Sequence, residues 1–304
     1  MIDVALVGTG GMMPLPNRYL SSMICRHDGR LILFDCGEGS QVSLKLLGWG
    51  FKNIDAICFT HYHADHISGL PGVLLCIDAS ERKEPVRFFG PPGLEYFVRS
   101  LCVIAQGLSF PMEFTEWSPG KDHFAGDGDL TLRALPLRHR TPCFAYNIAL
   151  SRRGKFDLER AKAGGVPMEV WSALQKQNDA DIVYNHKRYT SDMVLGPRRR
   201  GLSVTYCTDT RPVPALVPFA KGSDLFICEG LHGNDDEKCA QHMHMSFAEA
   251  AEIAKKAEVG ELWLTHFSPA LQNPAEYLPA AAAIFPNTVI GRDRMKKTLR
   301  FMDD

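Results

Sequence analysis

Four metal-binding side chains fall within six positions of this chain, in Thr60-His61-Tyr62-His63-Ala64-Asp65-His66, directly after the apolar run 56–59. The run reads as a buried strand. Gathering three imidazoles and a carboxylate at its end is unfavourable unless something satisfies them, because buried polar groups need partners. In a turn, His61 and His63 face one point, while Asp65 and His66 face a second point close by. Imidazole and carboxylate donors suit zinc, with manganese, iron and other first-row metals also accepted. Tyr62 and Ala64 point away between them. The Gly69-Leu70-Pro71-Gly72 stretch then lets the chain turn into a helix.

Three later segments repeat one pattern, a strand-like run ending in a residue able to bind metal. They are Leu135-Pro136-Leu137-Arg138-His139, Thr205-Tyr206-Cys207-Thr208-Asp209 and Leu262-Trp263-Leu264-Thr265-His266. Strand ends on one rim of a sheet are where sites assemble, since rigid elements fix the side chains and loops admit the substrate. The total is five histidines and two aspartates, enough for two adjacent metals bridged by Asp209 with positions left for water. Metals about 3.5–4 Å apart activate a water and stabilise both the attacking and the leaving oxygen in phosphoryl transfer.

The remaining pattern indicates a layered α/β chain. Strand-like runs lie at 4–7, 31–34, 56–59, 86–89, 130–135, 145–150, 203–206, 225–228, 262–265 and 288–290, with glycine turns and helical stretches between them. The clearest helix begins at Ser246, whose S-x-x-E spacing to Glu249 forms a capping box. Phe247, Ala250, Ala251, Ala254 and Ala257 then make one apolar stripe, and Gly260 is the expected stop. At 304 residues, 45% hydrophobic and 23% charged, the whole of 1–304 is expected to form one large domain with a real core. No apolar run is long enough for a transmembrane helix, so no membrane role is expected. The opening MIDVALVGTGG reads as a first strand and not a signal peptide. Nine cysteines with no CxxC pair suit reduced thiols in the cytoplasm and exclude a secreted disulfide scaffold.

Residues 151–201 stand apart. They hold eleven Lys/Arg and six Asp/Glu, a net +5, which leaves the rest of a chain of net charge −1 at −6. The stretch opens with SRRGK, contains Trp171, Tyr184 and Tyr189, closes with GPRRRG and is flanked by strand-like runs. It reads as a basic arm inserted into the body. Such an arm is an electrostatic footprint for a polyanion that the acidic remainder would repel.

The His61-x-His63-x-Asp65-His66 signature resembles that of the metallo-β-lactamase superfamily, and its context resembles the ribonuclease Z family, endonucleases that remove the 3′ trailer of precursor tRNA. The likeness runs in order through GTGGMMPLPNRYLSS, LILFDCGEGSQ, FTHYHADHISGLPG, PLRHRTPCFAYNI, TYCTDTRP, DLFICEG, HMSFAEAAEIAKKA and LWLTHFSPAL. It implies an αββα four-layer sandwich. It implies one zinc held by His61, His63 and His139, and a second held by Asp65, His66 and His266, with Asp209 bridging them. Asp65 would also orient the attacking water and accept its proton. Glu229 and His244 match a further family pair that delivers a proton to the departing 3′ oxygen. The arm, in which FDLERAKAGGVP resembles the family's first half, would grip tRNA, and a homodimer is implied. The arm departs from the family's glycine-proline-rich tip, where Met-Glu-Val-Trp follows Val166-Pro167. That departure supports a second expectation, a paralogue hydrolysing small phosphodiesters or aryl sulfates; a third, of another class, is an RNA-binding protein without catalysis.

Overall fold

The computed structural model describes residues 1–118, 123–176 and 181–302. Two seven-stranded sheets stack face to face. The first runs in the order β16 (Lys296–Leu299), β1 (Ile2–Gly8), β2 (Ser22–His27), β3 (Arg30–Phe34), β4 (Ile54–Cys58), β5 (Val86–Gly90), β6 (Met112–Glu116). The second runs in the order β15 (Thr288–Ile290), β14 (Leu262–Thr265), β13 (Leu225–Glu229), β12 (Arg199–Cys207), β9 (Phe144–Arg152), β8 (Leu130–Pro136), β7 (His123–Asp127). In each sheet an antiparallel group gives way to a parallel one. The switch falls at β3, parallel to β4, and at β12, parallel to β13.

The sequence explains the layers. LILF, LFIC and LWL are apolar on both faces, as strands covered on both sides must be. Between the sheets lies one core with Phe34, Tyr146, Tyr206 and Trp263, all essentially inaccessible. Truncating one of these to alanine is expected to cost about 3–5 kcal/mol. A second core joins the outer face of the first sheet to helices Ser40–Leu47, Leu70–Asp78 and Leu94–Leu101. A third joins the other sheet to helices Leu216–Ala220, Phe247–Lys256 and Leu278–Ile284. The order is helix, sheet, sheet, helix, the four-layer sandwich expected.

All ten strands read from the sequence are present. The capping box is also formed, with Glu249 N donating to Ser246 Oγ and the Glu249 carboxylate accepting from Ser246 N. The end of that helix differs from expectation. It stops at Lys256, and Glu258, not Gly260, takes the left-handed backbone (φ 53°). Gly260 is required by space instead, since a Cβ there would lie 2.8 Å from the Asp224 carbonyl oxygen.

The basic excursion leaves the second sheet between β9 and β12. Its expected limits of 151 and 201 move inward, because β9 continues to Arg152 and pairs it with Arg199 of β12. Beyond that pair a narrow neck forms. Gly196 N donates to Lys155 O at 2.8 Å, and a Cβ on Gly154 would meet Gly196 O at 2.0 Å. The excursion carries helices Leu158–Ala163 and Met168–Lys176 and a small hairpin of β10 (Ile182–Tyr184) and β11 (Lys187–Tyr189). Ala161, Val170, Leu174, Tyr189 and Val194 bury one another in a core of its own. Trp171 packs against Phe156, ring centroids 5.2 Å apart, and donates Nε1–H to Val166 O. Residues 177–180 of the expected arm lie outside the described residues.

Candidate metal centre

The seven side chains expected to bind metal meet on one rim of the sandwich, beyond the C-terminal ends of β4, β8, β12 and β14. Crevices at the carboxyl ends of strands, where the strand order switches, are the usual place for a site. The distances divide the seven into two groups. His61 Nε2 lies 2.9 Å from His63 Nδ1, and His139 Nε2 lies 3.4 Å from the same atom. His66 Nε2 and His266 Nε2 are 3.2 Å apart, and Asp65 Oδ2 is 3.4 Å from His266 Nε2. Asp209 faces both groups. Its Oδ2 is 3.5 Å from His61 and 3.8 Å from His139, while Oδ1 is 3.2 Å from His66 and 3.3 Å from His266. Asp65 and His66 stand in a single helical turn, Ala64–Ile67, rather than in an open turn.

Local structure holds each group rigidly. Asp209 (φ 40°) and His266 (φ 58°) occupy left-handed backbone immediately after β12 and β14. Such conformations cost of order 1–3 kcal/mol and persist only where the surroundings over-determine them. The His139 loop pairs with the Asp209 loop through Arg211 N to Arg138 O, 3.0 Å. Asp65 accepts a hydrogen bond from the Met12 amide at 2.7 Å. Gly11 is required by close approach, because a Cβ would sit 2.9 Å from His266 Nε2.

One supporting residue carries no role that the sequence alone reveals. Asp35, fully buried at the end of β3 with φ 54°, accepts from Thr60 N at 2.8 Å and from Thr60 Oγ1 at 2.9 Å. Its Oδ2 is 2.8 Å from His66 Nδ1, and Tyr206 of the opposite sheet donates to the same oxygen at 3.3 Å. The available signal is an acid closing the run LILF, the pattern that marks His139, Asp209 and His266.

The electrostatics are those of a cation site. Burial works against a charge on His66, yet Asp209, Asp65 and Asp35 outweigh it and raise the imidazole well above its ordinary pKa. Burial likewise opposes charge on His266, but Asp209, Asp65 and Glu229 push it up to about 10. His61 goes the other way, held well below its ordinary value by burial and then by His66. Asp209 Oδ1 is buried with no hydrogen-bond partner among the described residues. Lone pairs converging on one point, with an orphaned carboxylate oxygen between two groups, fit divalent cations bound by nitrogen and oxygen donors.

Glu229 and His244 complete the rim. His244 Nδ1 donates to Glu229 Oε2 at 2.7 Å, and Glu229 Oε1 accepts from Thr210 N at 2.6 Å. Both residues are buried. Burial opposes charge on His244, but the Glu229 carboxylate overrides it and raises the pKa. A cleft of about 300 Å³ opens over the centre, lined by His63, Asp65, His139, Asp209, His244 and His266, among others.

A four-layer sandwich with this His/Asp centre on its rim defines the metallo-β-lactamase class, and the fold implies a divalent metal. Residues 30–267 match the beta-lactamase superfamily domain. The chain is 51% identical to ribonuclease Z of Clostridium kluyveri and 48% identical to that of Lachnospira eligens, each covering 100% of both sequences. The crystal structure of the short form of human tRNase Z shares the fold, with a TM-score of 0.72 at 24% identity over 98% of this chain and 100% of that one. The chain belongs to the ribonuclease Z family.

Proposed function

We propose that the chain is an endoribonuclease that removes the 3′ trailer of precursor tRNA. It cuts just 3′ of the discriminator nucleotide, leaving a 3′-hydroxyl on the tRNA and a 5′-phosphate on the trailer. The observation that carries this reading is the splitting of Asp209 between two donor groups, in a chain about half identical over its whole length to ribonuclease Z relatives. We assign two zinc ions per chain, with manganese or iron acceptable to the same donors. His61, His63 and His139 would hold one, Asp65, His66 and His266 the other, and Asp209 both. When bound, such ions lower the pKa of a coordinated water and neutralise charge on the scissile phosphate.

The protein's own groups do the rest. Asp35 fixes the ring of His66. Asp65, steadied by the Met12 amide, accepts a hydrogen bond from the attacking water and so aims it at phosphorus. His244, its pKa raised by Glu229, gives its proton to the departing 3′ oxygen, after which the carboxylate stabilises the neutral tautomer. The excursion at 153–198 grips tRNA phosphates away from the centre, its basic surface acting without sequence readout.

Association as a homodimer is supported by exposed apolar side chains on neighbouring elements over the first sheet, among them Val42, Leu46, Leu75, Tyr96 and Ile104. A cytoplasmic location is supported by nine free cysteines. No helix among the described residues is long and apolar enough to cross a membrane. Incubating the purified protein with a trailer-bearing precursor tRNA and mapping the new ends tests the assignment. Ends at the discriminator junction are expected; a ladder of exonucleolytic products would overturn it.

A further inference from the structure

Two ionisable side chains of the cleft lining are left over once the metal donors and the Glu229–His244 pair are assigned: His242 and Arg140. Both are fastened to the same place, the C-terminal end of helix Asp236–His242. Arg140, adjacent to His139, donates Nη2–H to the carbonyl of Gln241 at 3.0 Å, and the rest of its exposed guanidinium remains at the cleft mouth. His242 sits half-buried with Nδ1 2.8 Å from Nε2 of His232, the rings 5.0 Å apart. With His232 donating, the proton of His242 is placed on Nε2, the nitrogen that has no hydrogen bond among the described residues. The two remaining acids of the cleft, Asp65 and Asp209, are turned to the metal donors. In that tautomer the mouth offers an arginine guanidinium and an imidazole N–H, both anchored at the end of the same helix, a pairing suited to non-bridging phosphate oxygens.

Resting on the endonuclease reading, we infer that Arg140 and His242 form a subsite for the RNA phosphate next to the scissile one, and that His232 is a positioning residue that sets the tautomer of His242. A polynucleotide bound with its scissile phosphate at the centre must lay a neighbouring phosphate along the cleft wall. These two donors are the ones without another assignment there. The subsite would fix the register of the backbone, and so the position of the cut, without reading a base.

The experiment uses full-length protein, metal-loaded, and precursor tRNAs in which single phosphates flanking the cleavage site are replaced by neutral methylphosphonates. In the wild type, neutralising one flanking phosphate is expected to raise KM about tenfold, the scale of a charge-assisted hydrogen bond. In an Arg140→Gln/His242→Ala variant the native precursor should show that rise, and the methylphosphonate should add nothing further. His232→Ala should lose part of the phosphate-specific effect, and His232→Gln, which keeps a donor near Nε2, should restore it. Additive losses at every flanking position, or a variant as sensitive to methylphosphonate as the wild type, would overturn the subsite. A wild type that does not cut native precursor at the junction would overturn the endonuclease reading instead, so the two failures are separable.

Discussion

Asp35 Oδ2 sits 2.8 Å from Nδ1 of His66, which turns the other nitrogen of that ring toward His266 and Asp209. A carboxylate in that position fixes the tautomer and increases the basicity of a metal-binding imidazole. Removing such a partner typically lowers metal affinity about 10–100-fold. Asp35→Asn is expected to weaken metal binding on that scale and to lower activity most at limiting metal. Competition against a chromophoric chelator measures it. Unchanged affinity would show that Asp35 serves only the β3–β4 connection through Thr60.

Asp65→Ala separates binding from turnover. Its carboxylate is one donor of the second group and is held by the Met12 amide, whereas the excursion proposed to grip RNA lies elsewhere. Cleavage of precursor tRNA should be abolished while its affinity, read by filter binding, changes little. Substantial turnover in this variant would remove the aimed-water role.

The site was legible in sequence to the degree that its chemistry was local or stood at strand ends. The His61–His66 quartet declares itself because four donors share six residues, and His139, Asp209 and His266 because each closes an apolar run. Asp35 closes such a run too, but its partner lies 31 positions later and nothing in its neighbourhood names a role. Arg140 and Gln241 meet across 101 positions, a pairing that only the folded rim creates. Fold legibility followed burial. Strands apolar on both faces were all found, whereas Ser22–His27, with Ser, Arg and His in six residues, and Lys296–Leu299, a polar edge strand, carry too weak a pattern. The capping box placed the start of helix Phe247–Lys256 correctly, and its end was missed because Glu258 accepts a backbone conformation usually left to glycine.

The Glu229–His244 pair predicts a pH effect with a definite sign. Glu229 raises the His244 pKa against the pull of burial, so the protonated form survives to higher pH than for a free imidazole. If His244 supplies the leaving-group proton, kcat for RNA falls as pH rises through that elevated value. Glu229→Gln removes the charge, lowers the pKa and should move the descending limb to lower pH. A limb that stays in place would assign it to another group.

The leaving group gives an independent check on the same residue. A nitrophenolate departs without a proton, whereas a ribose 3′ oxygen needs one. His244→Ala should therefore slow cleavage of precursor tRNA by roughly 10²–10⁴-fold, the usual worth of a general acid, and slow that of bis(p-nitrophenyl) phosphate far less. Equal losses on the two substrates would mean that His244 supports the shape of the site and not proton delivery.

The excursion can be removed without opening the sandwich, because its apolar side chains bury one another and its neck brings Lys155 and Gly196 within a 2.8 Å hydrogen bond. Replacing residues 156–197 by a short glycine-serine link should leave the three main cores intact and the thermal transition cooperative. Hydrolysis of bis(p-nitrophenyl) phosphate, too small to reach the arm from the metal centre, should continue. Precursor tRNA processing should fall sharply through KM. Each RNA phosphate that the protein neutralises steepens the dependence of log K on log salt by about 0.7–0.9, so the truncated protein should also bind tRNA with a flatter salt response. If both substrates cease to be cleaved together, the excursion supports the fold of the centre; if the salt slope is unchanged, its positive charge does not meet the RNA.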